Sequence, residues 1–370
     1  MAKPEPAKRD WKLLFLKKET GAFLALTLII ITFQIVSIVR QIDDDTPHYF
    51  ISPGTAGTIL TPTSELGIVA IGATMLMVAG EFDLSVGAVF ALSGIFSAKV
   101  TNFLLTAKDP DTQEITYQGF IEEPWLASML AFFVVLIFAT SAGLLNGILT
   151  LTTRIPSFIV TLGSMLFWRG LALFVAEGRA ISIPRKPHED NWFLKFIGDN
   201  RIDIVPDFLI LQRIGVVIFW FIALVILFWY IMNKTKMGNW IFATGGKKEA
   251  ARAVGIPVNR VKLMMFSLTG FLAGLAGAFQ FARSHSMSPI EGTGLELEAI
   301  AASVIGGAAL TGGVGTIIGT MLGAMTMRTI RIGLPAIGLD SKLYQMVIGV
   351  ILVSAVVFNQ KLQEISERRR

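Results

Sequence analysis

Residues 78–89 read VAGEFDLSVGAV, and in them two carboxylates, Glu81 and Asp83, interrupt an apolar run that resumes on both sides. Charged groups are costly in lipid, so the stretch is either a buried ionic site or a break between two membrane spans. The flanks favour a break. Residues 62–80 and 84–99 are each apolar along their length, and a helix needs about 20 such residues to cross the hydrocarbon core. Working outward from this pair, the same reading gives further spans at 21–39, 126–148, 156–176, 213–232, 261–282, 296–309, 314–331 and 343–358. The third and eighth of the ten are short. Before the second, SPGTAGTILTP carries Pro53 and Pro62, which suggest a half-helix followed by an interruption.

Composition agrees. The chain is 53% hydrophobic and 16% charged, with a mean hydropathy of +0.64, which excludes an ordinary soluble multidomain protein. The expected fold is an all-α integral membrane protein of about ten transmembrane helices, some short or broken. Residues 1–20 read as a cytoplasmic lead, 21–358 as the membrane domain with a polar cytoplasmic loop at 233–262, and 359–370 as a basic cytoplasmic tail. Lys and Arg concentrate in the lead, the 233–262 loop and the tail, and acids in the intervening segments, so both termini are expected on the cytoplasmic side. The external segments 101–124 and 177–212 are long enough to form a docking surface or surface helices, or to be solvated connectors. No cysteine is present, which excludes disulfides, thiolate metal sites and thiol nucleophiles.

The 233–262 loop, NKTKMGNWIFATGGKKEAARAVGIPVNRVK, is not slack. Lys247 to Val254 are helix formers, Gly255 sits where a helix C-terminus wants positive φ, and Pro257 blocks continuation. A short, firmly bounded helix outside the membrane follows, with Ala250 and Val254 on one face and Glu249 and Arg252 spaced to pair on another.

Signatures of catalysis are absent. The Gly246-Lys247 dipeptide has Ile241 and Lys248 where a phosphate loop needs Gly and Ser or Thr, so no nucleotide or other cofactor is expected on this chain. His48, His188 and His285 are dispersed, which argues against a metal site. The intramembrane ionisable candidates are Glu81, Asp83 and Arg169. Asp83 reads either as the N-cap of the third span or as an ion-coupling acid; Arg169 reads as snorkelling, pairing with an acid, or lining a pathway. GFLAGLAGAF at 270–279 and GTIIGTMLGA at 315–324 place small residues for close helix packing. Ile-Pro opens the spans at both 153–163 and 254–264, and GEFDLSVGAVFALSG at 80–94 and LTGGVGTIIGTMLGA at 310–324 both place a polar, glycine-containing break before a glycine-rich span, a weak internal echo.

Four stretches together, GEFDLSVGAVFALSG, NGILTLTTRIPSFIVTLGSMLFWRGLALF, ATGGKKEAARAVGIPVNRVK and ELEAIAASVIGGAALTGGVGTIIGTMLGA, resemble the permease subunits of bacterial ABC importers for monosaccharides, of the ribose and xylose type. Glu81 replaces a residue that is often Gly in that family, and the 101–124 loop looks longer than usual. The resemblance implies a permease of the inner membrane that works as a homodimer or pair, with a separate cytoplasmic ATPase carrying ATP-Mg and an extracytoplasmic sugar-binding protein. It implies no nucleic-acid partner. Under it, Lys247, Lys248, Glu249, Ala250, Ala251, Arg252, Val254 and Gly255 form a coupling helix for the ATPase. Glu81, Asp83, Ser85, Thr161, Arg169, Ser303 and Gly307 are pathway candidates. Neutral sugar needs no buried counter-charge, so few intramembrane ions are expected. The competing readings are an ABC permease for nucleosides or inositol-like polyols, an ion-coupled secondary sugar carrier using Glu81 or Asp83, and a membrane enzyme.

Overall fold

The computed structural model describes residues 18–43, 50–51, 55–105, 107–108, 115–116, 119–183, 190–199, 201–202, 214–351, 353–354 and 357. Most of the 1–20 lead, the whole 359–370 tail and parts of the two long external loops lie outside them. Helices α1 (Lys18–Asp43), α2 (Thr55–Val78), α3 (Val86–Leu105), α4 (Pro124–Thr153), α5 (Ser157–Val175) and α6 (Val217–Lys234) are followed by α7 (Lys236–Gly246) and α8 (Lys248–Ala253). Then come α9 (Val258–Ser284), α10 (Leu295–Ile305) and α11 (Ile317–Ala336), and residues 343–351 are again helical. Seven of these helices are long and apolar enough to cross a membrane. The remaining expected spans correspond to α10, α11 and the 343–351 helix. At 11 residues α10 rises only about 16 Å, which is half a bilayer core and fits a broken span.

The helix predicted to break at Pro62 does not. α2 runs through Pro62, losing one backbone hydrogen bond, because an apolar helix buried in the bundle has neighbours to hold it straight. Instead the chain breaks at 79–85 and 306–316, where Gly80, Gly307, Gly312 and Gly313 adopt positive φ.

The bundle is layered. Within their most apolar windows α2 is 78% and α9 72% buried, whereas α5 is 11%, so α2 and α9 are central and α5 lies at the periphery. α9 packs on α4, α3 and α2, and α11 packs on α2, α1 and α10. Lipid offers no hydrophobic drive for helix association, so close backbone contact must supply it. Gly143 of α4 and Gly270 of α9 provide that contact. A Cβ on Gly143 would strike the Phe266 carbonyl and stand 3.0 Å from the Gly270 nitrogen. The two Ile-Pro sequences perform the same task, Pro156 and Pro257 occupying the N-cap positions of α5 and α9.

Extended structure is confined, among the described residues, to three two-stranded antiparallel pairs of two residues each. One pair, β1 (Ile181–Ser182) with β2 (Ser286–Met287), pins the start of the α9–α10 connection to the loop after α5.

Candidate functional site

The 79–85 break is a folded polar site. Ser85, whose carbonyl accepts the first bond of α3 from Val89 N at 2.9 Å, is the N-cap, not Asp83 as the sequence suggested. Asp83 stands two residues upstream, and its Oδ1 accepts from Ser85 N at 2.8 Å and Ser85 Oγ at 2.7 Å. This local turn satisfies a backbone donor that lipid could not. Asn146 of α4 donates through Nδ2 to Ser85 Oγ at 2.8 Å and more weakly to both Asp83 carboxylate oxygens at 3.3 and 3.4 Å. Ser164 of α5 donates to Asn146 Oδ1 at 2.5 Å. Asp83, Ser85 and Asn146 are buried, so the network is an internal polar seam joining α3, α4 and α5.

Glu81 has a different partner. It forms an ion pair with Lys262 of α9, both side chains largely buried at 14% and 7% exposure. Lys262, assigned from sequence to the cytoplasmic loop, instead points into the bundle. Phe82 N, between the two acids, donates to Ser157 Oγ at the start of α5.

The other pathway candidates are scattered. Ser303 of α10 is fully buried, donates to Ala299 O at 2.7 Å and accepts from Thr74 of α2, which also contacts Thr320 of α11 at 2.6 Å. Gly307 begins the α10–α11 reversal at φ 89°. Thr161 is buried and bonded back to Ser157 O at 2.7 Å. Arg169 neither snorkels nor pairs with a carboxylate through a hydrogen bond. Its Nη1 donates to the carbonyls of Pro289 and Glu291, both at 2.7 Å, clamping the connection ahead of α10.

Sequence reasoning missed several buried ions. Glu65 in α2 accepts from Arg283 Nε at 2.9 Å. Glu298 in α10 meets Arg328 at 3.2 Å and Arg331 at 3.1 Å, and Arg331 also lies over the Tyr344 ring, 5.3 Å from its centroid. Glu65, Glu298 and Arg328 are each less than a tenth exposed. The expectation of few intramembrane ions is therefore corrected: buried ions are numerous, with Glu65, Glu81 and Glu298 in ion pairs, Asp83 held by hydrogen bonds alone, and one oxygen of buried Glu296 without a hydrogen-bond partner among the described residues. A signal existed for Glu65, the lone charged residue of α2, whereas Glu298 shares the first turn of α10 with Glu296.

Beside the 79–85 break, α8 is the predicted short helix, and α7, an 11-residue helix the sequence did not separate from its loop, leads into it. α8 closes as expected: Gly255 adopts φ 85°, Ile256 N bonds Ala251 O, and Gly255 N bonds Arg252 O, each at 3.0 Å, the bond pair of a Schellman stop. Lys247, Lys248, Glu249, Ala250, Arg252 and Val254 are exposed, Val254 at 77%. Two details differ from expectation. Ala251 is buried, facing the body of the protein rather than outward. Arg252 donates to Asn259 Oδ1 at 3.2 Å, and no Glu249–Arg252 ion pair forms among the described residues.

The segment just before α8 connects both breaks. Gly313 N donates to Val78 O at 2.8 Å, so the 306–316 break is tied to the end of α2. Gly245 lies against the same Val78 carbonyl. A Cβ on Gly312 would stand 2.8 Å from Gly245 O and 3.0 Å from Gly80 Cα, and one on Gly313 would stand 2.7 Å from Gly246 Cα. Only glycines permit three backbone passages, 78–80, 245–246 and 312–313, to meet this closely. The junction joins the exposed helix mechanically to the two interrupted spans.

Known proteins resemble the chain along most of its length. The family described as "Branched-chain amino acid transport system / permease component" matches residues 55–356. The ribose import permease protein of Escherichia coli (strain K12) is 33% identical over 308 residues, 82% of this chain and 85% of the relative. That of Bacillus subtilis (strain 168) is 33% identical over 345 residues, 93% of each chain. The D-allose transport system permease protein of E. coli (strain K12) is 29% identical over 348 residues, covering 93% and 92%. No solved structure gives a significant match.

Proposed function

We propose that this chain, which belongs to the branched-chain amino acid transport system / permease component family, carries a monosaccharide across the bacterial inner membrane as the permease subunit of an ABC importer. The sugar comes from the relatives named for ribose and D-allose. A separate cytoplasmic ATPase binds ATP-Mg and does the hydrolysis; an extracytoplasmic binding protein delivers the sugar; and a second copy of the permease completes the pathway. Both termini and α8 lie on the cytoplasmic side.

The observation that carries this reading is α8: a rigidly closed helix with an exposed apolar residue, Val254, ringed by Lys247, Lys248, Glu249 and Arg252. That is the pattern of a helix that docks in a groove. The glycine junction gives it leverage. A displacement of α8 when the ATPase closes on ATP moves Gly245, and through Val78, Gly80 and Gly313 it moves the ends of both broken spans. Asp83, Ser85, Thr161, Ser303 and Gly307 line or border that moving region, while Glu81 and Arg169 hold it to its neighbours.

The ion-coupled alternative requires a carboxylate available to bind and release an ion. Glu81 is committed to Lys262, and Asp83 to Ser85 and Asn146, so neither suits that role. Replacing Val254 with Asp tests the coupling. The variant inserts and co-purifies in normal amount but loses sugar uptake and stimulated ATP hydrolysis; uptake at the unmodified rate would remove α8 from the mechanism.

A further inference from the structure

Between α2, α9, α10, α11 and the 286–294 connection lies an open cavity of about 480 Å³, within the roughly 300–1,000 Å³ of small-molecule sites. Of the residues that the sequence singled out it uses only Pro62, and none of the pathway or coupling candidates. Its lining is unusually polar for a membrane bundle: Glu65, Gln280, Glu291, Glu298, Arg328 and Arg331, with Phe90 and Gly292 supplying an apolar wall. We infer that this cavity is a subsite for the transported sugar within a single permease copy, recognising a neutral polyhydroxylated ring.

The charges decide the ligand class. Glu298 takes both Arg328 and Arg331, and Glu65 takes Arg283, so with Glu291 three carboxylates stand against three guanidiniums and the cluster carries no formal net charge. Glu291 accepts from Gln280 Nε2 at 3.1 Å and from Ser288 N at 3.2 Å. A carboxylate ligand would compete with Glu298 for its arginines, and an amine would compete with those arginines for Glu298. A hydroxyl does neither, since it donates to one carboxylate lone pair and accepts from a spare guanidinium N–H without disturbing the pairs. A sugar presents several such hydroxyls and a C–H face for Phe90.

Position supports the same reading. The cavity wall includes the 291–292 backbone, which Arg169 clamps through Glu291 O and which packs against the first turn of α3: a Cβ on Gly292 would stand 2.6 Å from Gly87 O. That turn begins at the Ser85 cap. A ligand seated here therefore contacts the part of the protein that the 79–85 break moves.

This inference rests on the permease reading, and the test separates the two. The chain lacks cysteine, so Thr293→Cys or Ile290→Cys, both exposed at the cavity, provides a single thiol. The full permease, assembled with its ATPase in lipid nanodiscs, is labelled with a membrane-impermeant thiol reagent in the presence of D-ribose, D-xylose, D-allose or D-galactose, with L-leucine as comparator. At a sugar concentration ten times its Kd, labelling of either cysteine slows about tenfold. L-leucine and an Arg179→Cys control, at a side chain 79% exposed and outside the cavity lining, show no such effect. Gln280→Ala removes the partner shared by Glu291 and Arg283, and the resulting loss of order at the cavity wall raises the half-protecting concentration about tenfold. Labelling that no sugar slows, or that L-leucine slows instead, overturns the subsite, provided sugar-loaded binding protein still stimulates ATP hydrolysis. If that stimulation is also missing, the permease reading fails and the subsite with it.

Discussion

Replacing Glu81 with Gln isolates the role of the acid that is ion-paired within the 79–85 break. The side chain and its partner Lys262 are both nearly enclosed, so removing the carboxylate leaves an ammonium in a low-dielectric setting. Breaking a buried pair in this way costs about 3–5 kcal/mol. The amide oxygen of Gln still accepts from the ammonium, which places Glu81→Gln near the lower end, about 3 kcal/mol. Lys262→Met strands the carboxylate with no such relief and falls nearer the upper end. In the double variant neither charge remains, and two groups of similar volume face each other, so stability returns to within about 1 kcal/mol of the parent. The interaction term from the cycle is therefore several kcal/mol. The assay pairs thermal unfolding in lipid nanodiscs with sugar uptake in proteoliposomes. Melting temperature falls by several degrees in each single variant and recovers in the double, and uptake recovers with it. If Glu81→Gln leaves the melting temperature unchanged while abolishing uptake, and the double variant does not restore it, then Glu81 acts on substrate or on a coupling ion and the pairing argument is wrong.

Three other perturbations address different links. Gly245→Ala drives a methyl group into the Val78 carbonyl, so uptake and stimulated hydrolysis fall at least tenfold while ATPase binding, measured by co-purification, persists; full activity would show that the glycine junction transmits nothing. Asn146→Leu leaves Asp83 and Ser85 without their donor from α4 and costs about 1–3 kcal/mol, read as a lower melting temperature that Asn146→Gln only partly recovers. Val254→Asp, by contrast, leaves melting unaffected because that side chain is 77% exposed, and its effect appears in uptake and stimulated hydrolysis.

Much of this fold was legible because its determinants are local. Apolar length marks the spans, glycine and proline mark the ends, and Gly255 and Pro257 bound α8 with no help from tertiary structure. What sequence could not supply is the identity of neighbours across the bundle. Glu81 and Lys262 are separated by 181 positions and Glu65 and Arg283 by 218, and nothing in either local pattern says that the helices bearing them touch. Lys262 looks like one more cytoplasmic charge until α9 is placed beside the 79–85 break. Asp83 shows an intermediate case: its place at the start of a helix was readable, whereas the one-step shift of the cap to Ser85 and the bond from Asn146 depend on the turn geometry and on α4. Ala251 failed for a similar reason, since helical spacing groups it with exposed positions but the body of the protein covers it.

The proposed mechanism delivers energy to this chain from ATP through α8. Its most direct test is sugar uptake into proteoliposomes containing the permease, its ATPase and the binding protein, with ATP supplied or withheld and ion gradients intact or collapsed. The account predicts uptake that needs ATP and the ATPase, survives collapse of every ion gradient and disappears with Val254→Asp. Uptake by the permease alone, driven by an ion gradient and indifferent to ATP, would contradict it.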